Sequence, residues 1–185
     1  VIPNVTRKPV LNTGISGTVN NLTIEAGSSL VITGGTLQVS GTITNNGTFD
    51  ASAGTVELAG TAPQTIGAGI FSGNTVQNLN VNNASGVTLA GALNVTGIVK
   101  VIAGSLASNG FLTLVSTNTG TALIDGSGAG QVTGNVTMQR YLSPPYGYKY
   151  ISSPFLPATV AELDDHRTIV PWLATGYRYD ENNSL

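Results

Sequence analysis

The sequence predicts an all-β fold, a right-handed parallel β-helix, on three observations. Apolar residues alternate with polar or small ones in short bursts. The bursts recur every 6–9 residues through the best-ordered stretches, too closely for helices to lie between them. A long internal repeat relates distant bursts to one another.

The bursts are apolar pairs with one residue between: Leu22/Ile24, Leu30/Ile32, Leu37/Val39, Val56/Leu58, Leu79/Val81, Val87/Leu89, Leu93/Val95 and Leu112/Leu114. Successive side chains of a strand point to opposite faces, so each pair marks a strand of roughly 3–5 residues with one face buried. Gly, Asn-Asn or Ser-Gly separates the bursts, and most gaps lack a good hairpin dipeptide. The register follows: Leu22, Ile24, Leu37, Val39, Leu79, Val81, Leu93 and Val95 point inward, with Thr23, Gln38, Asn80 and Asn94 outward. An antiparallel β-sandwich is the runner-up, but its usual strand spacing of about 8–12 residues fits less well.

The repeat joins TVNNLTI (18–24) to TVQNLNV (75–81) at an offset of 57, and LQVSG (37–41) to LNVTG (93–97) at 56. If three short strands make one turn of about 19 residues, the offset predicts close to three turns of a solenoid whose coils stack into one core. Stacking also accounts for the near absence of charge. Outward Thr, Ser and Asn form ladders with equivalent positions about 4.8 Å apart, where like charges repel and hydroxyls and amides can bond along the stack.

Charge and aromaticity divide the 185 residues near Gln139. Residues 9–139 hold five charged side chains, Glu25, Asp50, Glu57, Lys100 and Asp125, whereas residues 140–185 hold nine. All six Tyr and the only Trp, Trp172, follow residue 140. The predicted domains are therefore the β-helix over 1–139 and an aromatic β-rich segment over 140–185, a cap or the incomplete start of a second domain. Within it, Thr159 and Glu162 stand in capping-box spacing and predict one short helix over 157–167.

Composition bounds the function. The net charge of −2 offers no electrostatic grip on nucleic acid or anionic lipid. Without cysteine there is no disulfide framework, thiolate nucleophile or Cys-based metal site. No signal peptide and no apolar run long enough to span a membrane is found. The start at Val1 and the end at DENNSL read as an excised piece of a longer chain.

The order of these motifs carries a resemblance. VIPNVTRKPVL, then VNNLTIEAGSSLVI, GTITNNGTFDASAGTVELAGTAPQTI, VQNLNVNNASGVTLAGALNVTG, and last VTGNVTMQRYL with YKYISSPF resemble the passenger region of large surface-exposed or secreted, adhesin-like proteins of Bacteroidetes. The resemblance implies an extracellular or cell-surface location and export by the type IX secretion system. It makes the outer-membrane secretion machinery a partner during export, with surface glycans or other cell-surface proteins as partners afterwards. It implies no defined activity, and the C-terminal sorting domain of such proteins is absent from this chain.

Candidate sites are few. LDDHR brings Asp164, Asp165, His166 and Arg167 together, but one His beside two adjacent acids near a helix end reads as solvated surface, and no nucleophile motif accompanies it. Glycosidases need paired carboxylates, and Asp50 and Glu57 could meet only by accident of coil register. DGSGAG (125–130) lacks a Walker lysine and reads as a loop. Asn4, Asn21, Asn46, Asn83, Asn94 and Asn135 begin N-x-S/T sequons, which read as corner and ladder residues. STNTGT (116–121) is isolated, whereas an ice-binding face would need TxT on every coil. Catalytic residues, metal ligands and cofactors are thus expected to be absent. The tyrosines are the most suggestive feature: Tyr146, Tyr148 and Tyr150 alternate along one strand face. With Trp172 they form either a ligand-binding surface or the cap that an open solenoid end needs.

Overall fold

The computed structural model describes residues 1–142. They form the strands β1 (Val10–Asn12), β2 (Ser16–Val19), β3 (Leu22–Ile24), β4 (Ser29–Val39), β5 (Ile43–Asn45), β6 (Thr48–Leu58), β7 (Gln64–Ile66), β8 (Thr75–Leu89), β9 (Leu93–Val95), β10 (Ile98–Ala107), β11 (Leu112–Leu114), β12 (Leu123–Asp125), β13 (Gln131–Thr133) and β14 (Val136–Met138), with one 3₁₀ turn, Ser72–Asn74. The strands pair with one another in parallel. They stack as a β-solenoid of about 6 turns, as the alternation and spacing predict. The predicted helix over 157–167 and the residues His166 and Trp172 lie outside the described residues.

Each turn has three faces. The first carries β1, the starts of β4, β6 and β8, then β9, β11 and β14. The second carries β2, the ends of β4 and β6, the middle of β8, the start of β10, and β12. The third strand of successive turns is β3, β5, β7, the end of β8, the end of β10, and β13. Several predicted bursts fuse because the strand continues around a corner. Leu30/Ile32 and Leu37/Val39 both belong to β4, with Gly34 at φ 129° and Gly35 between them. Gly54, at φ 108°, lies on that corner from the next turn. A Cβ there would stand 2.6 Å from the Gly35 carbonyl oxygen, so only glycine lets the two backbones stack.

The core fills the tube. Leu37, Val56, Leu79 and Val99 are register partners in succession on the second face, as are Val39, Leu58, Val81 and Val101, and all eight are buried. Leu93 and Leu112 stack the same way on the first face. The eight residues predicted inward are all buried, and Thr23, Gln38, Asn80 and Asn94 are half-exposed on the outer side. Burial of the apolar set in one continuous column is what the alternation supplies to stability. Phe71 enters from the loop before the 3₁₀ turn and packs on Phe49 with ring centroids 5.0 Å apart.

The repeat is real, but its phase differs from the predicted three turns. Val19 and Leu22 bracket a corner from the second to the third face in the first turn. Val76 and Leu79 bracket a corner from the first to the second face in the fourth. The offset therefore spans two and two-thirds turns. The cause is turn length. Stacked partners are 19 residues apart at Leu37 and Val56, but 23 at Val56 and Leu79 and 25 at Val99 and Ile124, because loops enlarge some corners.

Candidate functional site

The outer side of the second face carries one continuous ladder: Thr18, Gln38, Glu57, Asn80, Lys100 and Asp125, each the register partner of the next. Strand alternation puts these residues outward, and parallel stacking puts them in line. Glu57 sits between amides: its Oε1 accepts from Gln38 Nε2 at 2.9 Å and its Oε2 from Asn80 Nδ2 at 3.5 Å. Lys100 Nζ lies 3.0 Å from Asp125 Oδ2 and donates to Ser127 Oγ at 2.8 Å. The Ser127 side chain and N–H, with Lys100, hold the Asp125 carboxyl down at about 2.

Asp50 stands apart on the first face, where the Ser52 hydroxyl and N–H donate to its Oδ1 at 2.7 and 2.9 Å and lower its pKa. Asp50 and Glu57 occupy different faces, so they do not form the carboxylate pair of a glycosidase. Among the described residues no group of three or more His, Asp or Glu could hold a metal ion, and no helix is long and apolar enough to cross a membrane.

Beside the charged ladder runs a second outward column, Ser16, Thr36, Thr55 and Asn78, which turns apolar at Ile98 and Leu123. Ile98 is 42% exposed and Leu123 48%. Ile98 points out because Val99 and Val101 point in, while Ile102 is half-buried. The third face presents Thr23 beside Thr44, then Thr65 beside Thr88, with Ala107 and Thr133 completing the run. The STNTGT segment takes no part in it. Ser116 and Thr121 form an antiparallel bridge with their hydroxyls 2.6 Å apart, so the segment is a small hairpin thrown out from a corner.

The first turn leaves an apolar hollow of about 240 Å³ lined by Ile2, Leu11, Leu22, Leu30 and Leu37 among others. Arg7 and Lys8 border a broader groove at the same end.

Two buried polar residues are not legible in the sequence. Gln64 and Asn83 are buried, yet fully bonded. Gln64 Nε2 donates to the carbonyls of Val39 and Gly41 at 3.0 and 2.8 Å, and its Oε1 accepts from Gly60 N and Asn83 Nδ2, each at 2.9 Å. The signal for Gln64 is its place in QTI (64–66), two residues before Ile66 and so on the same inward side of the strand. Of the sequon asparagines, Asn21 and Asn83 serve corners, and Asn94 lies in the ladder between Thr75 and Thr113. Tyr146, Tyr148, Tyr150 and Trp172 lie outside the described residues. No family model matches the chain, and the searches of curated proteins and of solved structures find no match to it.

Proposed function

We propose that this chain is a non-catalytic structural and adhesive module of a large bacterial cell-surface or secreted protein. The observation that carries the reading is the ladder from Thr18 to Asp125, in which the three charged groups are each taken up by a neighbour one turn away. Such a surface is spent on holding turns together rather than on poising a reactive group. The separation of Asp50 from Glu57 on different faces supports the same reading. The finer assignment, a type IX secretion passenger of Bacteroidetes with surface glycans or cell-surface proteins as partners, rests on the motif order from VIPNVTRKPVL to YKYISSPF.

The test is a glycan array together with whole-cell adhesion of the purified chain. The proposal expects adhesion to cells or to a defined surface, without consumption of any glycan. Glycan binding lost on changing Tyr146, Tyr148 and Tyr150 to Ala would instead favour a carbohydrate-binding module. Release of sugar from a polysaccharide would overturn the non-catalytic reading.

A further inference from the structure

The chain contains two Asn-Gly pairs among the described residues, Asn46–Gly47 and Asn109–Gly110. An asparagine followed by glycine is prone to spontaneous loss of its amide, because no side chain shields the glycine nitrogen that attacks it. The structure treats the two pairs differently. Gly47 N–H donates to Asn45 Oδ1 at 3.0 Å, and Gly47 packs between the carbonyls of Glu25 and Ser28 on the preceding turn. Its nitrogen is engaged and its corner is closed. Gly110 stands in the open, with no atom within 4 Å of the position a Cβ would take. The turn around it is closed by Phe111 N–H donating to the Ser108 carbonyl at 2.8 Å, which leaves the Gly110 N–H outside that bond. Asn109 is exposed and held by one bond, Nδ2 to the Leu89 carbonyl at 3.0 Å.

We propose that Asn109 is a site of spontaneous, base-promoted deamidation in the folded protein, and that Asn46 is protected. Hydroxide removes the Gly110 N–H proton, and the nitrogen lone pair attacks Asn109 Cγ. The new N–Cγ bond closes a succinimide as the Cγ–Nδ2 bond breaks, and Nδ2 leaves as ammonia after taking up a proton. Water then opens the ring at either carbonyl, leaving an aspartyl or an isoaspartyl linkage. No oxidant or reductant is needed.

The consequence reaches the stack. The product has no Nδ2–H to donate to Leu89, and it sets a carboxylate against that carbonyl, where one turn is held to the next. The isoaspartyl form also lengthens the backbone at a corner where Asn109 and Gly110 both have positive φ, 50° and 79°.

The experiment is incubation of the full chain at mildly alkaline pH, with peptide mapping by mass spectrometry over time. The same incubation in urea gives the intrinsic reactivity of each pair. The expected result is conversion of both pairs in urea, but in the folded chain conversion at Asn109 well before Asn46, faster as pH rises and abolished by Asn109→Ser. The aged protein should melt lower than fresh protein, and Asn109→Ser should remove most of that further loss on ageing. Conversion at Asn46 first, or no conversion at Asn109 in the folded chain, overturns the proposal.

Discussion

The side chain of Asn78 accepts the backbone N–H of Ile98 at 2.9 Å, bonding the corner of one turn to the corner of the next. Asn21 does the same for the N–H of Thr42, also at 2.9 Å. These two asparagines are equivalent in the repeat, and so are the glycines beneath them. Gly41 N–H donates to the Asn20 carbonyl and Gly97 N–H to the Gln77 carbonyl, at 2.7 and 2.8 Å. A Cβ on Gly41 would strike the Asn21 Oδ1, and one on Gly97 the Asn78 Oδ1. The repeat is thus a corner module of asparagine above glycine.

Asn78→Ala should therefore lower stability by about 1–3 kcal/mol through loss of two hydrogen bonds, the one accepted from the Ile98 N–H and the one that Nδ2 donates to the Gly54 carbonyl at 3.2 Å. Gly97→Ala should lower it by about 1–3 kcal/mol, because the methyl meets the corner above. Urea midpoints of the two variants check both values. Equal or greater stability of Gly97→Ala would refute the corner module.

Leu79→Ala should lose about 2–5 kcal/mol, the range for a buried leucine whose neighbours cannot collapse into the gap. Val81→Asp should be more severe, since an unpaired carboxylate would enter a fully buried position. Thr88→Ala, on the exposed side of the third face, should stay within about 0.5 kcal/mol of the parent. The order of the three midpoints reads the register directly.

Gln64→Leu should be costly although it adds apolar volume. It strands the Gly60 N–H and the Gly41 carbonyl, each at about 1–3 kcal/mol for a buried group left without a partner, and takes one of two partners from Asn83 Nδ2 and from the Val39 carbonyl, which keeps the Ala59 N–H at 3.0 Å. Asn83 retains its bond to the Ala62 carbonyl, which moderates the loss. A hydrogen-exchange measurement should find the Gly60 amide opening faster in the variant.

Stability should fall in acid. Asp125 titrates at about 2 in the folded chain against an ordinary 3.8, so the folded state binds its proton less readily than the unfolded state does. The stabilisation is fully present above the ordinary value and is lost as pH falls through about 2. Asp50, also lowered, acts with the same sign. Asp125→Asn should flatten the loss of stability with acid, as followed by thermal melting across that window. An unchanged profile would mean that the contacts of Asp125 do not persist in solution.

The outward acids should be replaceable without loss of any enzymatic property. Asp50→Asn, Glu57→Gln and Asp125→Asn are expected to alter melting but not adhesion, and no polysaccharide should be turned over by the parent chain. Reducing-sugar release that disappears in one of these variants would refute the expectation.

The alternation of Leu22 with Ile24 and of Leu79 with Val81 determined which side chains face the core. Period 2 belongs to any strand with one buried side, whatever its neighbours. The close spacing of the bursts and the missing charge determined the solenoid, because stacked turns put equivalent residues a strand's width apart. Tertiary structure decided which turn each residue belongs to. Loops such as the hairpin at Ser116–Thr121 lengthen single corners, and nothing local counts residues around a turn, so Asn21 and Asn78 share a sequence pattern yet stand at different corners. It also decided which polar residues are buried. Gln64 is tolerated inside because Val39, Gly41, Gly60 and Asn83 converge on its amide, and those partners come from three different turns. The meeting of Lys100 with Asp125 has the same origin: residues 25 apart become neighbours only when a turn of that length closes.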